Sequence, residues 1–155
     1  MSGYVVLVWL HVLAAAVWIG SMAFFAAVVV PALRSGALRA NAMSLIAILG
    51  PRFRTLGLAS LGTLLVTGFF VLRYHGIGWA ELTHGGAWTS SSFGHTLLHK
   101  LALVGVVLVA SVAHEIVSRG DDPGRHRRAA SWVGRIMMLA SLAILYYAVR
   151  LVRGL

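Results

Sequence analysis

The chain has no cysteine among its 155 residues. Disulfides, thiolate metal sites and cysteine redox chemistry are therefore excluded, and any metal or cofactor must be held by His, Met, carboxylate or backbone. Acidic residues are nearly as scarce. Asp and Glu together number 4 against 13 Lys and Arg, a formal net charge of +9. Charged residues of either sign make up only 11% of the chain, while 59% is hydrophobic. A soluble domain carries about 25% charged residues. A soluble core of this length could not hide so much apolar surface, because its surface-to-volume ratio is too high. An ordinary soluble enzyme is excluded, and so is disorder, which needs low hydrophobicity. What is left is an integral membrane protein with the lipid bilayer as its first partner.

A basic excess in a soluble protein would point to nucleic acid. Here the basic residues cluster between apolar runs, as orientation signals in membrane proteins do, and no nucleic-acid partner is expected. The apolar runs cover about 4–33, 56–72, 94–117 and 132–152. They are continuous and not alternating, so they read as helices and not as barrel strands. Each approaches the roughly 20 residues that a span needs. The first run lacks a basic n-region and is about twice as long as a signal h-region, so a span is expected there and not a cleaved signal. Pro51 is expected to kink the approach to the second helix or to start it. The expected fold is all-α: one transmembrane four-helix bundle over residues 1–155.

Arg34, Arg39, Arg52 and Arg54 follow the first run. Arg119, Arg125, Arg127 and Arg128 follow the third, with Arg135 just inside the fourth. The second run is followed by Arg73 alone, the N-terminus carries none, and Arg150 and Arg153 lie at the C-terminus. The positive-inside rule then predicts that both termini face outward, N-out and C-out, in a bacterial-type inner (plasma) membrane. The residues leave the oligomeric state open, a homo-oligomer included.

Seven histidines carry the chemical signal. His11 and His99 fall inside the first and third runs, and ionisable groups at membrane depth are functional by default. His11 lies about 7 residues past Tyr4 and His99 about 7 past Ser92, each roughly 10 Å below the outer boundary at 1.5 Å per residue. Two imidazoles at matched depth can converge on one centre, and a neutral pair suits both haem iron and copper. Ala14, Ala15, Trp18 and Met22 share the helical face of His11, which leaves room for a flat macrocycle with Trp18 as its wall. Helix packing through alanines explains the same stripe. His95 and His99 are four apart and share one face, a spacing that suits two ligands of one ion. With His75 and His84 they could form an outward copper- or zinc-collecting cluster; four solvated interfacial histidines are the plain alternative. Arg73 and Lys100 could pair with haem propionates, or simply snorkel to the interface. His114 lies about 22 Å along the helix from His99 and cannot share its ion. No catalytic residue stands out, and whether the protein is an enzyme stays open.

The stretch His11-x6-Trp18-x-Gly20 resembles the first helix of CopD (copper-resistance D) membrane proteins. Gly94-x-x-Leu97-x-x-Lys100-Leu-Ala-Leu-Val resembles the CopD segment that opens a later helix, and Thr67-Gly68 is also similar. The resemblance covers about two-thirds of the chain. It implies an inner-membrane protein that holds a haem b or copper centre and acts in copper handling or membrane electron transfer. Site geometry favours haem b and the family name favours copper. A quinone, or a periplasmic copper or redox protein, would be its partner. The first helix also resembles HemJ-type protoporphyrinogen oxidases, with His11 and Lys100 at matching places. That likeness implies the alternative, a haem-dependent oxidase passing electrons to quinone. Leu98 stands where that family has its third-helix histidine, and Gly134 to Met138 where it has Asn-Glu-x-Pro.

Overall fold

The computed structural model describes residues 2–84, 87–118 and 123–153, with the main chain alone at 2, 37, 87, 117, 118 and 123–130. Among the described residues the chain is helical with no strand. It divides into two compact units, Met1–Ala80 and Glu81–Leu155.

The first unit opens with α1 (Ser2–Phe24), which passes through a π-turn (Phe25–Val29) into α2 (Val30–Arg34). Pro31 has no N–H to offer Ala27, and the Val30 N–H reaches back to the Phe25 carbonyl instead. The widened turn lets the helix absorb the proline without breaking. A short α3 (Gly36–Arg39) leads to α4 (Ala42–Tyr74). This helix is longer than the apolar run over 56–72, because it begins before Met43–Gly50 and carries Pro51 in its interior. A proline in mid-helix costs one hydrogen bond, and the apolar residues on both sides of Pro51 hold the helix through it.

α1 and α4 run antiparallel. Tyr4 meets Tyr74, His11 meets Thr67, Trp18 meets Gly57 and Phe25 meets Phe53. The two numbers in each pair add to between 75 and 78, the signature of a straight antiparallel hairpin. Glycine makes the approach close: a Cβ on Gly57 would lie 3.3 Å from the Trp18 ring, and one on Gly68 would lie 3.3 Å from the His11 ring. Small residues let membrane helices pack in this way. α4 ends in a Schellman cap. Gly76 takes φ +75°, the Ile77 N–H bonds the Leu72 carbonyl at 3.0 Å, and the Gly76 N–H bonds the Arg73 carbonyl at 3.1 Å. Ile77 is buried, which supplies the apolar contact of that motif.

Beyond α4 the chain forms α5 (Trp79–His84) and a 3₁₀ turn (Ala87–Ser90). Gly85 and Gly86 lie outside the described residues. The second unit is a hairpin of α6 (Ser92–Ser118) and α7 (Pro123–Arg153). Ser91 caps α6: its Oγ accepts from the Gly94 N–H at 3.0 Å and donates to the Trp88 carbonyl at 2.7 Å. This folds the 3₁₀ turn so tightly onto the helix that a Cβ on Gly94 would lie 1.8 Å from the Trp88 carbonyl oxygen. Gly94 thus has a structural reason to be glycine.

Among the described residues four helices are long and apolar enough to cross a membrane: Gly3–Arg34, Ala42–Tyr74, Ser92–Ile116 and Ser131–Arg153. Between 11% and 22% of the residues in their windows are buried, so most of this apolar surface needs an apolar solvent. The chain is a multi-pass membrane protein.

Candidate functional site

In the first unit His11 stands about two turns below the Tyr4 end of α1, half-buried against α4. Its Nδ1 lies 2.8 Å from Thr67 Oγ1. The direction of that bond follows from the threonine. Its hydroxyl has one hydrogen, which goes to the Thr63 carbonyl at 2.6 Å. Thr67 Oγ1 therefore accepts, and the His11 Nδ1–H donates. The lone pair of the neutral ring then resides on Nε2.

In the second unit His99 reaches the same tautomer differently. Its Nδ1 lies 2.7 Å from the main-chain carbonyl of His95, one turn earlier. A carbonyl can only accept, so Nδ1 carries a proton, and in the neutral ring Nε2 has the lone pair. The ring is exposed, and its face stacks on Tyr147 of α7 with centroids 5.5 Å apart and planes 8° apart. His95, His99, Thr96, Ser90, Ser92, Tyr147 and Arg150 line an open groove of about 500 Å³ between the start of α6 and the end of α7.

A metal-ligating histidine normally commits one ring N–H to a fixed acceptor, which sets the tautomer and aims the other nitrogen. Each ring, taken by itself, meets that chemical condition. Trp18 is buried and packs its ring on Gly57, and Ala14 beside it is also buried. The small-residue face of His11 is thus the packing face of the hairpin. Arg73 is exposed in the last turn of α4, and Lys100 is half-buried on α6. His75 lies 3.5 Å through Nε2 from the Tyr4 hydroxyl. His84 lies 2.9 Å through Nδ1 from Thr83 Oγ1. Both are exposed, as is His95. Among the described residues, no three His, Asp or Glu side chains gather into a group that could hold a metal ion. α6 is unbroken from Ser92 to Ser118, so His114 stays roughly 22 Å along the helix from His99. The side chains of Arg125, His126, Arg127 and Arg128, and the whole of Arg119, lie outside the described residues.

Sequence reasoning missed Thr67 as the partner of His11, and Tyr147, Thr96 and Arg150 as companions of His99. The signal for Thr67 was a hydroxyl on the helix opposite a half-buried imidazole, legible only with the hairpin register in hand. Comparison with protein-family models, with curated proteins and with solved structures found no match.

Proposed function

We propose that this multi-pass membrane protein holds a haem b or copper centre through Nε2 of its intramembrane histidines and serves copper handling or membrane electron transfer. The observation that carries the reading is the shared tautomer of His11 and His99. Each ring sits within the first helix of its hairpin, and each commits Nδ1–H to a fixed oxygen. Thr67 and the His95 carbonyl orient the two rings and keep their lone pairs on Nε2. The bound metal would supply one-electron chemistry that no side chain here offers. The CopD-like pattern at His11, Trp18, Gly20, Gly94 and Lys100 points the same way. A quinone or a periplasmic copper or redox protein would be the natural partner. The basic residues at 34–54 orient the chain with both termini outward.

The absorption spectrum and copper content of detergent-purified protein test this. A Soret band with sharp reduced α and β bands means haem b, and stoichiometric copper without visible bands means a copper centre. His11→Ala and His99→Ala should each remove or alter the centre. A double variant no worse than either single means that they act as a unit. Colourless, metal-free wild-type protein would end the reading. Cysteine labelling from outside should reach Ser90→Cys and spare Ser35→Cys; the reverse pattern would invert the orientation.

A further inference from the structure

The groove between α6 and α7 has a character that metal ligation at His99 does not use. Among the described residues its one fixed charge is the Arg150 guanidinium, and no carboxylate lines it. Arg150 belongs to the apolar span Ser131–Arg153 and is half-buried, whereas Arg153, one turn on, is exposed. A cation among apolar helices is costly unless something of opposite charge meets it. The groove offers several donors for that purpose. Thr96, 4% exposed, spends its hydroxyl hydrogen on the Ser92 carbonyl at 3.0 Å. His99 spends its Nδ1–H on the His95 carbonyl. The donors left facing the groove are the guanidinium fork, the Tyr147 hydroxyl and the hydroxyls of Ser90 and Ser92. A donor-rich lining with a single positive charge is complementary to an oxyanion, and an arginine fork matches two oxygens of a phosphate at once.

Place and size narrow the ligand. The groove lies where α6 begins and α7 ends, at the depth where a span meets the headgroup layer. Its volume of about 500 Å³ exceeds a bare ion and admits a headgroup. We infer that this groove binds a phosphate-type oxyanion through Arg150, either from the headgroup of an anionic phospholipid or as free phosphate. The inference needs no metal at His99 and stands or falls separately from the metal-centre reading.

The test uses the full chain in nanodiscs of phosphatidylcholine, with or without phosphatidylglycerol. Native mass spectrometry counts retained phosphatidylglycerol, and calorimetry follows inorganic phosphate added to the neutral discs. Arg150→Gln should weaken whichever probe binds by about tenfold, the loss of one charge-assisted pair. Arg150→Lys should lose part of it, because the charge stays and the fork goes. Arg153→Gln should change binding less than twofold. Phosphatidylglycerol that phosphate does not displace identifies a lipid site, and phosphate binding in neutral discs identifies a free-ion site. The inference is overturned if neither probe saturates wild-type protein, or if Arg150→Gln and Arg153→Gln weaken binding equally. Should Arg150→Gln lose its helical circular dichroism, Arg150→Lys decides against Arg153→Lys: equal binding by the two would also overturn it.

Discussion

The two hairpins prepare their histidines in opposite ways. In the first, the acceptor for His11 comes from the partner helix, 56 positions away in sequence. In the second, the acceptor for His99 is the carbonyl four residues earlier on its own helix, and the partner helix contributes only the flat face of Tyr147. One tautomer depends on helix pairing and the other on local helical geometry. The first ring is accordingly half-buried against glycine, while the second is exposed in a polar groove. The difference teaches that a ligand-ready imidazole needs only one well-placed oxygen, and that its rigidity depends on where that oxygen comes from. It also separates the units by charge: residues 1–80 contain no Asp or Glu at all.

The harshest substitution falls on the second hairpin. Gly94→Ala forces a methyl onto the Trp88 carbonyl and should cost about 3 kcal/mol, the upper end for overpacking. Its counterpart in the first hairpin, Gly62→Ala, meets open space and should gain about 0.5 kcal/mol by helix propensity. Thermal unfolding of the two variants in detergent measures both, and a Gly94→Ala protein as stable as wild type would contradict the tight turn. Thr67→Val strikes next. It leaves the His11 Nδ1–H without its acceptor and should cost about 2 kcal/mol. Imidazole nitrogen-15 spectra should show His11 changing its tautomer mixture while His99 keeps its own; movement of both would erase the contrast between the hairpins. Gly57→Ala should be milder, about 1 kcal/mol, because the Trp18 ring need yield only a few tenths of an ångström. Trp fluorescence should shift with it. The smallest effect belongs to Tyr147→Phe, which keeps the stacked face and should change stability by about 0.5 kcal/mol or less. The His99 nitrogen signals should stay in place, and a large shift would assign the hydroxyl a role in holding the ring.

Much of the architecture was legible without coordinates. The length of an apolar run is a one-dimensional quantity, and so are a missing residue type and a histidine seven places inside a span. They determined the membrane class, the four helices and the choice of His11 and His99. Even the His99 bond to the His95 carbonyl is a property of one helix, since residues four apart share a face. What lies across a helix pair is different in kind. Thr67 opposite His11, Tyr147 against His99 and Arg150 in the groove all depend on the register of antiparallel helices. That register comes from glycine contacts, from the cap at Gly76 and from the turn at Gly94, and a shift of one residue would rotate every partner by about 100°. Only the tertiary structure could decide it, because no periodicity within one helix carries the phase of the other.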